Sequence, residues 1–141
     1  MTEDADVEPA VSSADKASPW PLFVALGLAV GEVGVFMGLY PVAVAGLLLF
    51  VGSVAGIVTE AGYTERPWRL LGGLGVVLVI LGLWVVSTQI TAGSVDAWIA
   101  AVATDDTIVL RGFSIAAAGV VTLAASGAGA VVQPDVVGAN Q

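Results

Sequence analysis

The sequence predicts an all-α integral membrane protein with four transmembrane helices, at about residues 20–39, 41–60, 68–89 and 107–132. Of its 141 residues, 57% are hydrophobic and only 11% are charged, and the mean hydropathy is +0.97. This composition is typical of a chain that spans a bilayer rather than of a soluble globular domain. The predicted spans have suitable lengths, because ~20 apolar residues in a helix cross ~30 Å of hydrocarbon.

The first predicted segment, residues 1–18, is an acidic tail with few side chains that a core could bury, and we expect it to be disordered. It does not resemble a secretory signal, because it begins with negative charge and the apolar run that follows is too long. The chain is therefore expected to comprise this tail, a four-helix membrane domain at 19–133 and a short polar tail at 134–141.

The first span carries a row of glycines with one carboxylate beside it. The glycines are Gly27, Gly31, Gly34 and Gly38. Their spacings of four, three and four residues place them on one face of a helix. A bare glycine groove allows another helix to approach closely, so we predict that this helix packs against a second protein surface. Glu32 lies in mid-span, where an acid is costly unless it faces protein or water.

Glycine and proline mark the ends of the next spans. Gly38 suits a C-cap and Pro41 suits the first turn of a new helix, so the first two spans form an antiparallel hairpin. Gly62 and Pro67 separate the second span from the third in the same way. Within the second span, Gly52 and Gly56 form a small-xxx-small pair that favours helix packing, and Ser53 lies beside it.

A short helix is predicted near 95–104, between the third and fourth spans. Its apolar residues fall on one stripe, Val95, Trp98, Ile99 and Val102, and Ser94 suits the N-cap. It is too short to span, so we expect it to lie in the membrane interface with Trp98 as its anchor. The last span follows a cap at Asp105, Asp106 and Thr107, and its many small residues predict close packing on neighbouring helices.

Two interpretations of Glu32 remain open from the residues alone. It can serve as a proton-relay or ion-site carboxylate, or it can be a buried acid that bonds Ser53 or pairs with Arg111, about one turn into the last span. We favour the structural interpretation, because a relay normally needs further titratable groups and no other carboxylate lies in mid-span.

The charges restrict both the partners and the orientation. There are 12 Asp and Glu against 4 Lys and Arg, a formal net charge of −8, which is typical of halophilic proteins and argues against nucleic-acid binding. Lys16, Arg66 and Arg69 lie on one side of the four-span arrangement and Arg111 on the other. The positive-inside rule then places both termini in the cytoplasm of a protein of the cell membrane.

Histidine and cysteine are both absent from the sequence. No imidazole or thiolate is available to bind haem iron, copper or zinc, or to act as a Cys/His nucleophile. We therefore expect this chain to bind no cofactor or metal and to have no catalytic residues.

A family resemblance is carried by five segments of the sequence, namely Ala17–Leu28, Glu32–Gly34, Tyr40–Val44, Glu60–Tyr63 and Arg66–Trp68. In these segments the chain resembles a family of small haloarchaeal membrane proteins known as cox cluster proteins. The genes of that family lie among those for haem-copper terminal oxidase subunits.

The resemblance implies a non-catalytic accessory subunit of a cytochrome c oxidase-type complex. This subunit would pack in lipid against the helices of the catalytic subunit, and the haem and copper would be held by partner subunits. Two alternatives are a stand-alone proton- or ion-coupled carrier centred on Glu32 and a transient assembly factor of the oxidase.

Overall fold

A computed structural model describes residues 17–90 and 94–132, and all regular secondary structure in these ranges is helical. The helices are α1 (Trp20–Phe36), α2 (Tyr40–Glu60), α3 (Pro67–Ser87), α4 (Val95–Val102) and α5 (Thr107–Val132). The most extensive packing joins α3 to α5 and α1 to α2, and α2 makes smaller contacts with α5 and α3. The described chain therefore consists of two antiparallel helical hairpins, α1–α2 and α3–α5, that meet mainly through α2.

Three helices of the described residues are long and apolar enough to cross a membrane, namely α2, α3 and α5. They contain 21, 21 and 26 residues, and an 18-residue stretch within each has a mean hydropathy of 2.4, 2.5 and 1.9, respectively. These values are compatible with a multi-pass membrane protein. The first predicted span, at 20–39, is helical only over the 17 residues of α1. At ~1.5 Å per residue α1 is about 26 Å long, somewhat less than ~30 Å of hydrocarbon.

The first two helices end in the same glycine turn. Gly38 and Gly62 have φ angles of +70° and +78°, a conformation that side chains other than glycine rarely adopt. After α1, the Leu39 amide donates to the Gly34 carbonyl oxygen at 2.8 Å and the Gly38 amide donates to that of Val35 at 3.3 Å. These bonds form a Schellman motif, so the glycine C-cap that ends the first helix is confirmed.

Side-chain caps begin the last two helices, as the sequence predicts. The Ser94 hydroxyl accepts a hydrogen bond from the Ala97 amide at 3.3 Å. Asp106 Oδ1 accepts bonds from the amides of Ile108 and Val109, at 2.8 and 3.2 Å. These caps satisfy amides that have no partner within the first helical turn.

The short helix α4 lies against the ends of α3 and α5. Its Trp98 and Ala101 pack in a cluster with Val86, Val109 and neighbouring apolar side chains. The four residues of the predicted apolar stripe therefore do not share one environment. Trp98 packs on the protein, whereas Val95, Ile99 and Val102 are exposed.

The predicted tails lie outside the described residues, except for Ala17 and Ser18. The Ser18 hydroxyl donates to Glu60 Oε2 at 2.5 Å, so it connects the start of α1 to the end of α2.

Candidate functional site

The glycine face of α1 is covered by α2 of the same chain. Gly27 and Gly34 are buried. A Cβ atom added to Gly34 would overlap the backbone nitrogen of Ala43 and lie 2.7 Å from its Cα atom. One added to Gly27 would lie 2.5 Å from the backbone nitrogen of Phe50. The second surface that the glycine groove requires is therefore supplied within the hairpin.

Gly31 has more space around its Cβ position than Gly27 or Gly34 has. At this level of the hairpin, the glycine that cannot accept a side chain is Gly46 of α2. A Cβ atom on Gly31 would lie 3.8 Å from the nearest atom, an ordinary contact, whereas one on Gly46 would overlap the Gly31 backbone nitrogen. Gly46 lies in none of the small-residue patterns that the sequence indicates. The position of the turn could have identified it. Because Gly38 lies about midway between residues 31 and 46, an antiparallel hairpin that turns there places Gly46 opposite Gly31.

The other glycines of interest have different surroundings. Gly38 forms the turn after α1, and a Cβ atom there would meet no atom within 4 Å. Gly52 is exposed and has the same open surroundings. Gly56 lies under the Trp20 indole, whose ring atoms would be 2.7 Å from an added Cβ atom.

A second glycine interface joins α3 to α5. A Cβ atom on Gly82 would lie 2.6 Å from the Gly112 carbonyl oxygen, and one on Gly75 would lie 3.0 Å from that of Gly119. The Ser126 hydroxyl also donates across this interface to the Trp68 carbonyl oxygen at 2.5 Å. The small residues of the last span therefore pack against α3.

Glu32 is exposed on α1, at the edge of a groove of about 220 Å³ between α1, α2 and α5. The groove is apolar apart from this carboxylate, and its other side chains include Leu28, Val35, Leu47 and Ile115. Within residues 17–90 and 94–132, no hydrogen bond or ion pair involves Glu32. The exposed carboxylate can therefore accept hydrogen bonds from a donor outside the described chain.

Neither contact suggested for Glu32 by the sequence occurs in the described chain. Ser53 is 2% exposed, and its hydroxyl donates instead to the Leu49 carbonyl oxygen of its own helix at 2.6 Å. Arg111 is exposed and forms no ion pair with Glu32. It lies one helical turn before Ile115, the residue of α5 that reaches the groove.

Two further features are relevant to ligands. No group of three acidic, histidine or cysteine side chains among the described residues could hold a metal ion. Arg66 and Arg69 line an open cleft of about 610 Å³ with Tyr63 and Glu65, beside the start of α3. This cleft lies at the opposite end of α3 from α4.

The chain belongs to the family of unknown function DUF7541, whose profile matches residues 1–132. No curated protein and no solved structure matches the chain.

Proposed function

We propose that this member of the DUF7541 family is a non-catalytic accessory subunit of a haloarchaeal haem-copper terminal oxidase. The observation that carries the proposal is the exposed carboxylate of Glu32 on an otherwise apolar helix. Glu32 lies four residues before Phe36, the last residue of α1, so it is ~6 Å from the helix end and not in mid-span, where the sequence predicts it. A charged side chain costs about 2.5–3.5 kcal/mol on insertion scales at the centre of a membrane helix and less toward the ends, and such groups normally face protein or water. A contact with a larger membrane protein would remove this cost.

The nature of the complex is suggested by the resemblance to cox cluster proteins at residues 17–69. The absence of histidine and cysteine from the sequence fits a subunit that leaves haem and copper to other chains. In this proposal the subunit contributes surface to the complex and no chemistry of its own.

All four long helices would cross the cell membrane in this arrangement. The 17 residues of α1 can do so where the bilayer thins slightly or the turn at Gly38 enters the headgroup region. Both termini and the Arg66–Arg69 segment would lie in the cytoplasm, and α4 would lie on the outer surface.

This topology can be tested with single cysteines, because the chain contains none of its own. Thr64→Cys places a thiol just before α3, and Asp105→Cys places one just before α5, on the opposite side of the proposed membrane arrangement. A membrane-impermeant maleimide added to intact cells should label residue 105 and leave residue 64 unlabelled until the cells are opened. The reverse pattern would contradict the proposed orientation.

The decisive experiment is quantitative mass spectrometry of the oxidase purified in mild detergent through a tag on its catalytic subunit. A subunit should be present at a fixed stoichiometry near that of the tagged chain. A trace amount that is enriched only in immature complexes would favour an assembly factor. Absence from the complex, together with ion flux in liposomes that contain only this chain, would favour a carrier.

A further inference from the structure

The two hairpins repeat the same contacts. In α1–α2 the Cβ position of Gly34 lies 2.7 Å from the Ala43 Cα atom, and in α3–α5 that of Gly82 lies 2.8 Å from the Ala116 Cα atom. The pair Gly27 and Gly46 has its counterpart in Gly75 and Gly119. Each first glycine's Cβ position lies 3.0 Å from the carbonyl oxygen of the second.

A tryptophan at the start of the first helix contacts a glycine near the end of the second helix in both hairpins. Trp20 covers Gly56, and Trp68 lies against Gly129, where an added Cβ atom would be 3.5 Å from the tryptophan Cβ atom. Each of these three pairs in the second hairpin is therefore reached from its counterpart in the first by a shift of 48 residues in the first helix and 73 in the second.

The sequences agree at these shifts. Between α1 and α3 the identical pairs are Pro19/Pro67, Trp20/Trp68, Leu22/Leu70, Leu26/Leu74, Gly27/Gly75 and Gly34/Gly82. Between α2 and α5 they are Ala43/Ala116, Ala45/Ala118, Gly46/Gly119, Ser53/Ser126, Ala55/Ala128, Gly56/Gly129 and Val58/Val131. The agreement of contacts and sequence indicates a tandem duplication of one helical hairpin, with the two copies arranged as parallel repeats.

Comparison of the two copies shows that the acid at residue 32 is present in the first copy and not at the equivalent position of the second. Its counterpart in the second copy is Ile80, which is 60% exposed on the same face of α3. The helix contacts around the two positions are equivalent, so the scaffold accepts an isoleucine there. Packing within the hairpin therefore does not require an acid at residue 32.

We infer that Glu32 and the adjacent groove between α1, α2 and α5 bind a membrane helix of a partner that carries a lysine or arginine. This inference rests on the proposed function for the existence of a membrane partner, and it adds the chemistry of the contact. Charge complementarity selects the basic residue, because charged side chains inside a membrane pair with one another and the partner of a carboxylate is then a lysine or arginine. Leu28 and Val35 supply apolar surface on either side of the carboxylate.

Cross-linking from matched positions in the two copies tests the inference. Leu28 and Val76 are equivalent in the repeat and are 54% and 46% exposed. Each is replaced by cysteine, labelled with benzophenone maleimide and irradiated in native membranes. Residue 28 should cross-link to a protein peptide with a Lys or Arg within one helical turn, and residue 76 should react mainly with lipid.

The variants Glu32→Ile and Glu32→Ile/Ile80→Glu complete the test. The double variant keeps the composition of the chain but moves the acid to the second copy. Both variants should reduce the cross-link at residue 28 at least tenfold while the thermal midpoint in detergent stays unchanged. Glu32→Lys should recover the cross-link when the basic residue of the partner is changed to Glu.

The possible failures are distinguishable. Equal cross-linking from residues 28 and 76, lipid adducts alone, or an unchanged cross-link in Glu32→Ile would overturn the inference. An equal loss in Arg111→Gln would also overturn it, because the acid would then be paired within the chain. A partner outside the oxidase would contradict the proposed function and leave this inference intact.

Discussion

Gly34 packs so closely on Ala43 that no side chain fits between α1 and α2 at this point. A Cβ atom on Gly34 would overlap the backbone nitrogen of Ala43, and backbone cannot move aside as a flexible side chain can. The same relationship between Gly82 and Ala116 holds the second hairpin together. Both hairpins are therefore closed by contact between backbones, as in other membrane helix pairs that use small residues.

The first prediction is that Gly34→Ala destabilises the protein by about 1–3 kcal/mol, because the added methyl group separates the helices of a tightly packed interface. Thermal unfolding in detergent, followed by circular dichroism, measures the change. Gly52→Ala is the matched control in α2, since nothing lies within 4 Å of its Cβ position. An equal loss of stability in both variants would show that backbone contact is not the cause.

The second prediction concerns the hydrogen bond from Ser126 to the Trp68 carbonyl oxygen. Ser126→Ala should cost about 0.5–1.5 kcal/mol, because the bond joins α3 to α5. Ser114 is a control on the same helix, since its hydroxyl donates only to Leu110 of its own helix. Reversible unfolding in mixed micelles compares them, and a Ser114→Ala variant that loses as much would exclude a special role for the contact between helices.

The third prediction separates two adjacent acids at the start of α5. Asp106→Ala should destabilise the protein by about 0.5–2 kcal/mol, because two amides lose their acceptor. Hydrogen exchange should accelerate at Ile108 and Val109. Asp105→Ala removes a neighbouring charge without removing this cap, so faster exchange at the same amides in that variant would contradict the assignment.

The fourth prediction concerns the two faces of α4. A nitroxide label on Ile99→Cys should be accessible to oxygen dissolved in lipid, because Ile99 is exposed. A label on Ala101→Cys should be shielded from oxygen, since Ala101 packs in the cluster with Val86. Equal accessibility of both labels, measured by power-saturation spectroscopy, would mean that α4 does not keep one face on the protein.

Local signals in the sequence predict the helix boundaries well. Gly38, Pro41 and Asp106 act on the backbone within a few residues of themselves, so their effect does not depend on the rest of the fold. The all-helical structure and the approximate bounds of the last three long helices follow from such signals and from hydropathy. The end of α1 is less predictable, because an apolar run continues past the point where the Schellman motif stops the helix.

Contacts between helices are harder to predict, because they depend on rotation and register. The glycine row of α1 indicates close packing, but it does not say whether the partner is α2 or another protein. Gly46 shows this limit, since its importance becomes clear only when residue 31 is placed opposite it. The direction of Glu32 is unpredictable for the same reason, because it is fixed by the face of α1 that α2 covers.

The duplication has a sequence signal that single-helix reasoning overlooks. Pro19-Trp20 and Pro67-Trp68 each lie at the start of an apolar helix, with glycines eight and fifteen residues after the proline in both copies. A hydropathy profile does not distinguish these prolines, tryptophans and glycines from other interfacial or small residues. Comparison of the chain with itself is required to show that they recur together.

The concentration of close packing within each hairpin has a consequence for biogenesis. As the nascent chain leaves the ribosome, α1 and α2 can pair before α3 has been synthesised, because their glycine contacts involve no residue of the later helices. In the proposed four-span arrangement, insertion would then proceed two helices at a time, and a partly inserted chain would not contain an unpaired helix for long. Docking of the finished halves through α2 would be the last and weakest step of assembly.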